Sequence, residues 1–292
     1  SGGTFTWGSA AITMNGTFAL SGGTFTSTTG TMTIKEGFNF TGGTYSHNEG
    51  KAVFASQGSS TGVTLGGVEF YDLEINAGHN TWEHQINGTG IVRNLLTFTE
   101  GTLDNGTNPV LHAKRDIVVG TNAGGAYDDL SNDEGCPVYI SGTGNQTVTG
   151  YGGLLPGLTI DKTSGTVTFD GTSGCEGPFR YAQGTADFRA NRTTFILGAR
   201  SHSDGEATAT LGGVEFHNLE VNAGHNVWEY QINGTGTVWN LLTFTEGTLD
   251  NGTNPVLHAK GNITIGTNAG GADDDLSNDE GCPVYISGTG NQ

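Results

Sequence analysis

Apolar and polar residues alternate along this chain in short bursts, and glycine separates the bursts. Phe18-Ala-Leu20, Phe38-Asn-Phe40, Leu96-Thr-Phe98, Phe179-Arg-Tyr181 and Leu242-Thr-Phe244 each place large side chains two positions apart. Alternation over three to five residues marks a half-buried strand, because successive side chains leave opposite faces. Gly-Gly and Asn-Gly pairs beside the bursts mark corners where the backbone turns with positive φ. A helical period is nowhere sustained. The pattern predicts an all-β chain of short strands and tight corners.

The bursts recur in register. Ser1-Gly2-Gly3-Thr4-Phe5 returns as Ser21-Gly22-Gly23-Thr24-Phe25 and as Thr41-Gly42-Gly43-Thr44-Tyr45. Related phrases are Glu100-Gly101-Thr102-Leu103, Gln183-Gly184-Thr185-Ala186 and Glu246-Gly247-Thr248-Leu249. A unit of about 20 residues made of strands and corners is one coil of a parallel β-solenoid, whose coils pair along the axis. At ~4.8 Å per coil, roughly fourteen coils would make a rod of roughly 70 Å. The phrase predicts an inward row of Phe5, Phe25, Tyr45, Leu103 and Leu249, with Ala186 as a rung to be filled differently. It predicts an outward row of Thr4, Thr24, Thr44, Thr102, Thr185 and Thr248.

A longer repeat lies over the short one. Residues 65–146 match 211–292 at an offset of 146, with 70 of 82 positions identical. The chain therefore reads as two units, 1–146 and 147–292, of one continuous solenoid. Each unit ends at the same point, Gln146 and Gln292, which points to further copies or to a subunit that polymerises in register. The strand edges expected at both ends suggest head-to-tail contacts with itself.

Three further phrases stand out: Val138-Tyr-Ile-Ser-Gly-Thr-Gly-Asn-Gln-Thr-Val-Thr-Gly150, Phe70-Tyr-Asp-Leu-Glu-Ile-Asn76 and Phe216-His-Asn-Leu-Glu-Val-Asn222. Their wording resembles that of bacterial and archaeal secreted β-helix repeat proteins of the adhesin, surface-fibre and sheath type. The resemblance implies a structural surface protein with no shared catalytic residues. An adhesin stalk or glycan-binding module is the alternative it leaves open. Ice binding is a third reading, prompted by Thr4-x-Thr6, Thr24-x-Thr26 and Thr44-x-Ser46.

Composition sharpens the picture. With 51 glycines and 34% hydrophobic residues, the chain cannot fill a wide core but can fill a narrow one along a rod. Its 29 acidic and 11 basic residues give a net charge of −18, which disfavours nucleic acid, whose phosphates need clustered Lys and Arg. No apolar run is long enough to span a membrane.

Candidate chemistry is sparse. Asp128, Asp129 and Asp133, and Asp273, Asp275 and Asp279 in the second copy, lie in acidic loops that suit calcium, the only cofactor the sequence suggests. Their spacing matches neither the EF-hand nor the glycine-rich calcium nonapeptide, and a solvated acidic loop at a coil corner is the favoured reading. The Asn-Gly sequons at Asn15, Asn87, Asn105, Asn233 and Asn251 fit glycosylation or plain turn chemistry. Histidines 79, 112, 225 and 258 lack metal-ligand spacing. Trp7, Trp82, Trp228 and Trp239 can stack on sugars or close the solenoid cross-section. Arg180, Arg189 and Arg192 cluster with no counterparts in the first unit.

Three cysteines remain. Cys136 and Cys175 should lie two coils apart, ~9.6 Å if directly aligned, while a disulfide needs Cα atoms within roughly 4.4–6.8 Å. The bond forms only if the corner at Gly171–Gly177 brings them together, and Cys282 would then bond a neighbouring module or subunit. These features together predict a non-enzymatic protein, extracellular or on the cell surface, that builds a fibre, filament or sheath by end-to-end stacking.

Overall fold

The computed structural model describes residues 2–56, 61–79, 82–124, 135–198, 206–223, 229–269 and 281–288. The chain is an all-β parallel solenoid with coils of ~21 residues. Every strand pairing among the described residues is parallel, and the one helical element is a 3-10 turn at Ala190–Arg192. No helix among the described residues is long and apolar enough to cross a membrane.

Each coil has three faces. In the first coils, face 1 carries Ile12–Met14, Thr31–Ile34 and Lys51–Phe54, paired in sequence one above another. Face 2 carries Phe18, then Phe38, then Val63, then Ile86. Face 3 carries Thr24–Thr26 under Thr44–Ser46. Extended segments often bend round the corners without breaking. Thr89–Asn105 occupies face 3 with Thr89–Val92, face 1 with Leu95–Phe98 and face 2 with Thr102–Asn105.

The alternation decides which side chains go inside. Met32 and Ile34 are fully buried while Thr31 and Thr33 are not, and the same pattern continues through Leu73, Ile75, Leu96 and Phe98. Aromatic rings form ladders: Phe5, Phe25 and Tyr45 stack with centroids 5.7 and 5.9 Å apart, and Phe18 stacks on Phe38 at 5.1 Å. The corner glycines are required where coils touch. Gly23 has φ 79°, and a Cβ there would lie 2.5 Å from the Gly3 carbonyl oxygen.

Several expectations need correction. The step from coil to coil is not a uniform 20 residues: Ile117 pairs with Val148, 31 positions further on. Phe25, Leu103 and Leu249 are buried, but they do not make one row, since Phe25 stands on face 3 and Leu103 pairs with His84 on face 2; Phe5 is 49% exposed in the first coil. Thr102 is buried, not outward: its hydroxyl donates to Glu176 Oε1 at 2.5 Å. Ala186 pairs with Val167, and Phe188 stacks on Phe169 close by, which fills that rung.

The long repeat is out of phase with the coil. Face 1 runs from Leu73 through Leu96, Ile117, Val148, Phe169, Phe188 and Phe216, six turns in all. Leu219, the counterpart of Leu73, lies one face further on, above Phe195 and Ser173. Ile232, the counterpart of face-2 Ile86, likewise stacks on Ala209 and Phe179 of face 3. The second copy is thus turned by one face of the triangular cross-section. The boundary between units falls inside the strand Gln146–Leu155, so the ladders cross it without interruption.

Candidate functional site

An open cleft of about 780 Å³ lies within the second unit, where the coil before the repeated block meets the first coil of that block's second copy. Two successive coils build it. The lower one supplies Tyr181, Gly184, Thr185, Asp187, Arg189 and Ala190, and the upper one supplies Gly212, Gly213, Glu215 and His217. Phe179–Asp187 is a strand that ends in the 3-10 turn, and Asp187 Oδ1 accepts the amide protons of Arg189 and Ala190 at 2.9 and 2.8 Å. That carboxylate fixes the turn. Within it Asn191 and Arg192 both have φ 56°, a left-handed conformation that non-glycine residues adopt only when neighbours enforce it.

Arg189 is the central cation. Its Nη1 donates to Glu215 Oε2 at 2.7 Å, and its guanidinium carbon lies 4.2 Å from the centre of the Trp239 ring. The Tyr181 hydroxyl donates to the Gly184 carbonyl, and its ring covers Gly212, where a Cβ would clash. Burial and the nearby charges of Arg192 and Arg189 lower the His217 pKa. The imidazole is therefore neutral at pH 7. The cleft combines two carboxylates, a planar multi-donor cation, a neutral imidazole and an aromatic ring.

The other predicted residues are scattered. Asp128, Asp129, Asp133, Asp273, Asp275 and Asp279 lie outside the described residues, as do His225 and Trp228. Among the described residues, no group of three His, Cys, Asp or Glu side chains is arranged to hold a metal ion. Asn15 is exposed in a bend. Asn87 and Asn233 sit at corners, where their side-chain oxygens accept the Thr107 and Thr253 amides of the next coil at 2.9 and 2.6 Å. Asn105 and Asn251 end strands, each with its amide bonded to the preceding aspartate. His112 and His258 pack against Tyr139 and Tyr285.

Cys136, Cys175 and Cys282 are buried free thiols, so the bond between Cys136 and Cys175 is not formed. The register explains this: Pro137 pairs with Gly157 and Leu155 with Cys175, so the Leu155–Pro156 corner stands between the two cysteines. Burial raises the pKa of each thiol, to about 12 for Cys175 and about 11 for Cys282. Cys282 repeats the setting of Cys136, since their amides bond the equivalent Leu249 and Leu103 carbonyls.

The trios Thr4–Thr24–Thr44 and Thr6–Thr26–Ser46 are in register on face 3, but Thr102 stands on face 2 and is buried, so it does not continue the row.

The sequence reading singled out Arg189 and Trp239 but missed Tyr181, Asp187, Glu215 and His217. A signal for the site was available in the twelve differences between the copies, because Tyr71→His217 and Arg93→Trp239 both fall here. Comparison with protein-family models, curated proteins and solved structures finds no match.

Proposed function

We propose that this chain is a structural segment of an extracellular or cell-surface fibre, filament or sheath, extended by stacking more solenoid coils end to end. The observation that carries this reading is the parallel ladder, which passes from one unit to the other without a break: Gln146–Leu155 crosses the boundary between them and pairs with the coil that follows. A parallel coil offers its edge to any further coil of the same kind, through main-chain pairing and through apolar columns that continue from rung to rung. A coil added beyond the second unit would cover Ile265 and Ile286. A head-to-tail contact that does not close produces a filament. The role is architectural and non-enzymatic.

Electron microscopy of the purified chain at rising concentration tests this. Rods that lengthen with concentration are expected, and Ile286→Lys with Ile265→Lys should shorten them. Monodisperse single particles, unchanged by either substitution, would exclude the reading.

A further inference from the structure

We propose that the cleft at the start of the second copy of the repeated block is a binding site for a neutral saccharide chain. The inference is independent of end-to-end stacking, because the cleft lies on the side of the rod.

The first unit shows this position with its ion pair complete. There Glu69 is held by Arg93 from the coil above, through Nε at 2.9 Å and Nη2 at 2.7 and 2.6 Å, so both carboxylate oxygens are engaged. In the second unit Trp239 replaces Arg93, and the cation comes from the coil below. Arg189 reaches only Oε2 of Glu215, which leaves Oε1 with no partner among the described residues. The substitution thus exchanges a satisfied ion pair for a carboxylate oxygen with spare acceptor capacity at the wall of a cleft. It also places an indole, 41% exposed, beside it.

The donor and acceptor set suits hydroxyl groups. Carboxylates such as Asp187 and Glu215 accept from vicinal sugar hydroxyls, and Arg189 retains guanidinium N–H groups beyond the one given to Glu215. The neutral His217 imidazole can donate at one nitrogen and accept at the other. Tyr181 supplies a ring edge and face of the kind that packs on apolar sugar C–H surfaces. The volume falls within the ordinary range for ligand sites, and the open shape admits a chain that passes through. Two lining carboxylates on a rod of net charge −18 repel acidic sugars, which selects the neutral class.

The test is isothermal titration of the whole chain with neutral hexasaccharides of β-1,4-glucan, β-1,3-glucan, α-1,4-glucan and β-1,4-mannan, with hexagalacturonate as the acidic probe. At least one neutral hexasaccharide should bind with a dissociation constant between about 10 µM and 1 mM. Glu215→Gln and Tyr181→Ala should each weaken it tenfold or more, with circular dichroism and thermal midpoint within the range of the parent for Glu215→Gln. Arg93→Ala in the first unit should leave it unchanged. Absence of binding to all four neutral probes, preference for hexagalacturonate, or full binding by Glu215→Gln would overturn the proposal.

Discussion

The two copies of the 82-residue block are nearly one sequence placed in two surroundings. Because the second copy is turned by one face, its side chains meet different neighbours, and the differences between the copies track those neighbours. Asp72 stands above Lys51, while its counterpart Asn218 stands above Thr194 and donates to its hydroxyl at 3.1 Å. His84 lies above Thr61, with Nδ1 2.6 Å from the threonine hydroxyl and Nε2 3.2 Å from the Phe54 carbonyl oxygen. Tyr230, its counterpart, lies above Ala207 and sends its hydroxyl to the Gly177 and Cys175 carbonyls at 2.7 and 3.3 Å. A buried polar group needs a partner wherever it is. The rotation changes which partners are within reach, and the side chain changes with them. The lesson is that a solenoid repeat is defined by its own strands but edited by the coil beneath it.

The largest effect should come from emptying the same rung in each copy. Phe70 and Phe216 are both fully buried, the first against Phe38, Tyr45 and Phe54, the second against Phe179, Phe188 and Phe195. Phe70→Ala and Phe216→Ala should each cost about 3–5 kcal/mol in urea unfolding. Similar losses at both sites would show that the core tolerates the rotation without weakening. A loss under about 1 kcal/mol at Phe216 would break the equivalence.

Next in size is the response to acid of His84 in the first copy, a place that Tyr230 takes in the second. Burial lowers the pKa of His84 to about 4 from an ordinary 6.5, the Phe54 carbonyl opposing this in part. Above pH 6.5 the imidazole is neutral whether the chain is folded or not, and stability does not depend on it. Between pH 6.5 and 4 the unfolded chain takes up the proton and the folded chain does not, so stability falls as pH falls. The loss is complete near pH 4 and amounts to about 3 kcal/mol. Unfolding midpoints measured across this range should show the slope in the parent chain and a markedly shallower one in His84→Gln. Persistence of the full slope in that variant would assign it elsewhere.

The smallest effect concerns the exchanged ion pairs. Arg93→Ala and Arg189→Ala each remove a cation from an exposed glutamate, Glu69 or Glu215. Exposed pairs contribute about 0–1 kcal/mol. Thermal midpoints should shift little, and Arg189 should shift more than Arg93 because its guanidinium also packs on Trp239.

What the sequence determined by itself was local and periodic. Alternation in Phe38-Asn-Phe40 dictates a strand with two inward rings, and Gly23 and Gly43 dictate positive-φ corners. Repetition of those units leaves stacking in parallel as the way to bury their narrow apolar face. The solenoid class, the interior places of Phe25 and Leu103 and the free outer edge of the threonine row in the first coils were therefore legible. What only the tertiary structure decided was phase. Whether 146 residues make a whole number of turns depends on how many residues separate paired positions at each step, 31 between Ile117 and Val148, and no local pattern encodes that sum. Phase then places Arg189 under Glu215, Tyr230 beside Gly177, and the Leu155–Pro156 corner between Cys136 and Cys175. Such contacts join residues one or more coils apart, and the distance between them is set by the accumulated winding of the chain.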